Sequence, residues 1–269
     1  MLEITLLKTT HHGMGQVKKL LSYISKANVY SAEGAFLTEE SAEALERRWE
    51  RLLSSGNSQS KSIELVREKS EKLSKEVKDY ESLEREYLLR NNVLLWLTER
   101  FSDRDSAKLK EGIEEEDVYR RAALTALSEG DVTGFLNYQW ENFQVSKKLD
   151  ETRDREIARN IDRAEEQLRE RYPSLSWDKK MHFVVNIGAI HSPEKYTNKL
   201  ANVYDISGNW HPYDRVYQAV LEGKQLEEVK TSMLAVEMLR IAKLARLPLK
   251  EKQIMSMNFE QLSAKFVKF

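Results

Sequence analysis

His11, His12, Glu33, Arg153 and His191 are the side chains of this 269-residue chain whose types and settings could do chemistry. Imidazole and carboxylate together bind a divalent metal or act as general bases on water. A guanidinium beside them binds a substrate carboxylate or a developing oxyanion. Each candidate follows an apolar run or sits on an apolar stripe. His11 and His12 follow Ile4-Thr-Leu-Leu-Lys-Thr-Thr, beside Gly13 and Gly15, which let backbone approach a ligand closely. Glu33 follows Asn28-Val-Tyr-Ser-Ala, and a carboxylate there needs a partner. His191 closes Phe183-Val-Val-Asn-Ile-Gly-Ala-Ile, three residues after Gly188. Arg153 stands four residues before Ile157, with Ile161 one turn further, so it shares their inward face. The plainer alternatives are a polar loop for the histidine pair and a solvated face for the arginine. His182, at a strand start, and His211, in a Trp-His-Pro turn, read as structural.

In an open α/β sheet, ligands gather outside the carboxyl ends of the strands, so the elements must place these residues there. A strand over residues 3 to 9, a helix over 14 to 26 carrying Val17, Leu20, Leu21 and Ile24, and a strand over 28 to 32 make one βαβ unit, with His11 or His12 facing Glu33. A nearly continuous apolar strand from His182 to Ile187 fits burial on both faces of a parallel sheet. Ser192-Pro193-Glu194 starts a helix to about Leu200, and a strand over 202 to 206 completes a second unit.

From 38 to 171 the pattern is long charged helices with no convincing strand. Val66, Leu73, Tyr80, Tyr87 and Leu94 repeat every seventh residue, which predicts a coiled-coil-like helix over about 59 to 101. Further helices are expected at 103 to 111, 116 to 129, 131 to 148 and 150 to 171. The predicted fold is α/β: a mainly parallel sheet of βαβ units from 1 to 37 and 180 to 269, the latter with C-terminal helices. A large helical insertion over 38 to 179 joins them into one unit.

Composition narrows the function. Lys+Arg (43) and Asp+Glu (44) nearly cancel, which argues against bulk electrostatic binding of nucleic acid. Zero cysteines exclude disulfides and thiolate chemistry and fit a cytoplasmic protein. The start, Met-Leu-Glu-Ile-Thr, shows no leader, and the stretch Met233 to Leu247 is too short and too charged to span a bilayer. Abundant Lys and Glu with few Pro are compatible with a thermophilic source.

Four ordered segments resemble those of the TraB/PrgY and Tiki proteins, whose superfamily includes erythromycin esterases and ChaN-like haem-uptake proteins. Leu6-Leu-Lys-Thr-Thr-His11 resembles their Leu-Leu-Gly-Thr-x-His opening, with Lys8 in place of the glycine. Asn28 to Glu33 resembles the Asp-Val-Val-x-x-Glu strand. Arg153-Asp-Arg-Glu-Ile-Ala-Arg-Asn160 resembles the Arg-Asp-x-x-Met-Ala-x-Asn helix, with Ile157 for methionine, and Gly188-Ala-Ile-His191 resembles the second Gly-x-x-His. The segments cover about 70 residues, and the membrane helices that end many TraB-like chains are missing. The resemblance implies hydrolysis of an ester or peptide bond in a small molecule or peptide, with His11 (or His12), Glu33 and His191 either holding a divalent metal or acting as metal-free bases. Lys8 could crowd or charge that site, and His12 could substitute for His11. Two other readings stand beside it. The cleft could capture a ligand without turnover, or the seven-residue repeat could serve as a partner-binding helix that makes a homodimer.

Overall fold

Strand β6, Met181–Gly188, is the centre of the molecule's main sheet, and in the computed structural model every strand pair of that sheet is parallel. The structure describes residues 1 to 10, 14 to 33, 37 to 54, 84 to 207, 211 to 244 and 251 to 266. The other strands are β1 (Leu2–Thr9), β2 (Val29–Ser31), β4 (Leu94–Leu95) and β7 (Leu200–Asp205). Their order across the sheet is β4-β2-β6-β1-β7. Strands β3 (Leu37–Thr38) and β5 (Arg100–Phe101) form a separate parallel pair. The mainly parallel α/β class read from the sequence is therefore present. The neighbours differ from the two simple units expected, because β6 lies between β1 and β2, and β1 lies between β6 and β7. From β1 the chain moves one way along the sheet and from β6 the other, so the crevice at their carboxyl ends is a topological switch point.

The apolar periods explain the layers. Helix α1 (Met14–Ile24) buries Val17, Leu20 and Ile24, and α2 (Glu39–Ser54) buries Ala42, Glu46 and Trp49. With Leu7, Tyr30 and Val184 of the strands, most of these apolar residues form one core. Helix α4 (Val132–Arg171) sends Ile157, Ile161, Ala164 and Leu168 into a second core with Ile4, Leu6, Val29, Phe183 and Val185. Leu6 and Leu7, successive in β1, serve opposite cores, as the two-residue period of a strand requires.

Between 38 and 171 the expectation of helix alone is corrected by β3, β4 and β5. The helix predicted over 59 to 101 falls largely outside the described residues; within them it occupies 84 to 90. It ends because Asn92 takes the left-handed conformation (φ 51°), and the Val93 and Asn92 amides close back on Leu88 and Leu89. The chain then pairs Leu94 with Val29, so the last member of the heptad is a strand residue. The four helices expected after 103 are two: α3 (Asp103–Ser128) and α4. Gly112 does not break α3, because its missing Cβ leaves room for the Leu149 side chain. The turn between them follows Gly130, at φ 72°.

Two compact units divide the chain, Met1–Ala107 with Glu151–Asn209 and Lys108–Asp150 with Trp210–Phe269. The first carries the sheet and both cores above. The second is helical, with α5 (Pro212–Leu221), α6 (Leu226–Leu244), α7 (Glu251–Met255) and α8 (Phe259–Phe266). Within it Phe143 packs on the rings of Tyr213 and Tyr217, and the Tyr217 hydroxyl donates to Asp150 at 2.8 Å. Among the described residues no helix is long and apolar enough to cross a membrane.

Candidate active site

Past the carboxyl end of β6, the backbone turns back through a hydrogen bond from His191 N–H to the Gly188 carbonyl, 3.0 Å, which brings the imidazole inward. His191 is 0% exposed. Its Nδ1–H donates to Asp154 Oδ1 at 2.9 Å, since an ionised carboxylate can only accept. The other Asp154 oxygen accepts the Ser192 amide, also at 2.9 Å. That amide bond replaces the helix start expected there. Ser192 caps only a short 3-10 turn, Pro193–Lys195, with no side-chain cap. Lys8, the residue expected to crowd or charge the site, donates from Nζ to Glu194 in this turn at 2.5 Å and to Ser192 Oγ at 3.4 Å. Its charge is thereby matched by Glu194.

Glu33, two residues beyond β2, reaches the same place. Its Oε1 lies 3.4 Å from His191 Nε2 and accepts from Arg153 Nη2 at 3.0 Å. Its Oε2 accepts the Gly188 amide at 2.6 Å. Arg153 occupies the stripe of α4 that leads to Ile157, as the periodicity predicted, and its Nε–H donates to Glu99 at 2.6 Å. Burial pushes the Glu99 carboxyl above the usual glutamate range, with the Arg153 charge acting against that shift. Glu33, Arg153 and His191 are therefore brought together, whereas His11 and His12 lie outside the described residues. His182 pairs with Glu3 at 2.9 Å, and His211 caps α5 by accepting from the Tyr213 amide, so both have structural settings.

Sequence reasoning missed Asp154 and Glu99. Asp154 had a signal, since it is the second residue of the Arg-Asp pair and three residues before Ile157, close to the same inward face. Glu99 had none, because it lies where a helix was expected and its burial comes from the turn between β4 and β5. Among the described residues no group of three His, Cys, Asp or Glu side chains stands ready to hold a metal ion.

Gly188 sets how closely these groups approach. A Cβ there would lie 3.0 Å from Glu33 Oε2 and 3.5 Å from His191 Cδ2. Gly188→Ala is expected to move the Glu33 carboxylate by a few tenths of an ångström and to cost about 1 kcal/mol. A lower urea midpoint at unchanged m-value would register it.

Comparison of the chain with models of known protein families, with curated proteins and with solved structures gives no match.

Proposed function

We propose that the chain hydrolyses an ester or amide bond in a small molecule or peptide, as a member of the TraB/Tiki-like superfamily. The observation that carries this reading is the Asp154–His191–Glu33 line at the carboxyl end of the central parallel strand. With the Nδ1 proton held by Asp154, it is the neutral form of the ring that has its lone pair at Nε2 and acts as the base. That atom takes a proton from water as the water oxygen attacks the carbonyl carbon, and returns it to the leaving oxygen or nitrogen. Glu33 stabilises the imidazolium formed between these steps. Arg153 supplies positive charge close to the oxyanion.

The donor chemistry also fits a divalent cation. Glu33 retains acceptor capacity on its oxygens, and an imidazole whose second nitrogen is held by a carboxylate is the usual setting of a metal-ligating histidine. Glu33 and His191 would hold it, with His11 as the third donor of the resemblance. When bound, such an ion polarises the carbonyl or its water. The heptad of Val66, Leu73, Tyr80 and Tyr87 supports the coiled-coil-like part of the expected insertion, with self-association as its role.

The test is a panel of esters and peptides, assayed with and without added divalent ions. Turnover by the parent protein should fall by about 10²- to 10⁴-fold in His191→Ala and in Glu33→Ala. Full activity in both variants would overturn the assignment. Tight retention of a compound with no product by mass spectrometry would favour a binding protein instead.

A further inference from the structure

We propose that Glu99 is a positioning residue of this site: it fixes the Arg153 guanidinium by its Nε edge, so that Glu33 stays against His191 and Gly188. Only the kinetic arm of the test below rests on the hydrolase reading.

An arginine and a carboxylate left to themselves favour a fork, with two parallel N–H···O bonds that occupy both oxygens. Here Arg153 meets Glu33 through a single nitrogen, Nη2 to Oε1 at 3.0 Å, while its Nε donates to Glu99 at 2.6 Å, which closes the side-on fork of Nε and Nη2 to Glu33. The bond at Nε fixes the plane of the guanidinium, which a lysine's point charge could not do. Glu33 Oε2 is thereby left to the Gly188 amide at 2.6 Å, and Oε1 stays 3.4 Å from His191 Nε2. Without Glu99 the guanidinium can turn to take both Glu33 oxygens, pulling the carboxylate from the Gly188 amide.

Glu99 is itself held from both sides. The Thr98 amide donates to Ser31 Oγ at 2.9 Å, at the end of β2. Asn160 of α4 donates from Nδ2 to the carbonyls of Thr98 at 2.8 Å and Arg100 at 3.0 Å. These bonds, with Ile157 and Ile161 in the core, already dock the 98 to 100 segment on α4. That docking therefore does not rest on the Glu99–Arg153 pair alone. Yet it keeps a carboxylate 1% exposed, at the cost that burial imposes on a charge.

Glu99→Ala and Glu99→Gln separate positioning from support. In amide-resolved NMR of the full chain, Glu99→Ala should raise hydrogen exchange at the Gly188 amide by about tenfold, the loss of one hydrogen bond, and shift the Arg153 Nε–H signal. Glu99→Gln keeps an acceptor for Nε and should restore part of both signals; it also serves if the alanine variant does not fold. In an Arg153→Ala background the Glu99 substitution should leave Gly188 unchanged, because the coupling runs through the guanidinium. Parent-like Gly188 and Arg153 signals in folded Glu99→Ala, or in Glu99→Gln if only that variant folds, would overturn the proposal. In the kinetic arm, kcat should fall with KM held. A parent protein without turnover would sink the hydrolase reading and leave the NMR result to decide Glu99.

Discussion

Asp154→Asn should lower hydrolytic turnover by about 10³- to 10⁴-fold, the scale known for an imidazole trapped in the wrong tautomer. The side chain is nearly isosteric, so the loss would be chemical. Asp154 now accepts twice, from His191 Nδ1 at 2.9 Å and from the Ser192 amide at 2.9 Å. An asparagine has one oxygen for two donors. If that oxygen keeps the Ser192 amide, its NH₂ faces Nδ1, and the ring must carry its proton on Nε2, where the lone pair is needed. KM should hold, since Asp154 acts on substrate only through His191. Steady-state kinetics with a circular dichroism check of folding would measure it. Retention of a tenth or more of the parent kcat, about 1.4 kcal/mol of barrier or less, would remove Asp154 from the proposed scheme.

Glu46→Ala should destabilise the sheet-bearing unit by about 3 to 5 kcal/mol. Glu46 is 0% exposed; it accepts the Leu97 amide at 2.7 Å and pairs with Arg100 and Arg171. Alanine leaves that amide without its acceptor and the buried Arg100 guanidinium without its carboxylate, although Arg100 Nε still donates to the Leu97 carbonyl at 2.7 Å. Glu46→Gln, which retains an acceptor, should cost less. Burial raises the Glu46 carboxyl above its usual value more than the two arginines lower it, and burial likewise lowers the Arg100 guanidinium. The linked stability has the sign opposite to a surface ion pair. It is fully present below the unfolded-state value of about 4.3 and is lost as pH rises through the raised folded one. Urea midpoints of parent and Glu46→Gln, followed upward from about pH 4, should therefore converge or cross as pH rises.

Where the sequence was legible, a strong period met a simple environment. The run from His182 to Ile187 announced a strand buried on both sides, and Ile157 with Ile161 announced the stripe that carries Arg153 inward. Glu33 and His191 were readable as polar ends of apolar strands. The illegible parts depend on tertiary partners. Leu94 continued a heptad, but Asn92 stops the helix and β2 recruits Leu94 as an edge strand. Ser192-Pro193 had the look of a helix start, yet the Ser192 amide is taken by Asp154, from a helix nearly forty residues earlier in the chain. Glu99 became part of the site only because the turn after β4 is folded under α4. No local pattern could report that.

The register of the central pair, Leu2 opposite Met181, has a consequence for how the protein comes into being. During synthesis β1 and β2 emerge early, yet neither pairs with the other; β1 has no sheet partner before β6, and β2 has only the short β4. Until that strand leaves the ribosome, the edges of β1 and β2 that will receive it have no hydrogen-bonding neighbour in the sheet, and every contact of His191 is still to be made. Such non-local pairing is slow to close and leaves edges open to aggregation. The strand that seats the proposed catalytic histidine is thus also the one that joins β1 to the β2–β4 pair, so nascent chains would acquire the centre of the sheet and the site together, late in synthesis.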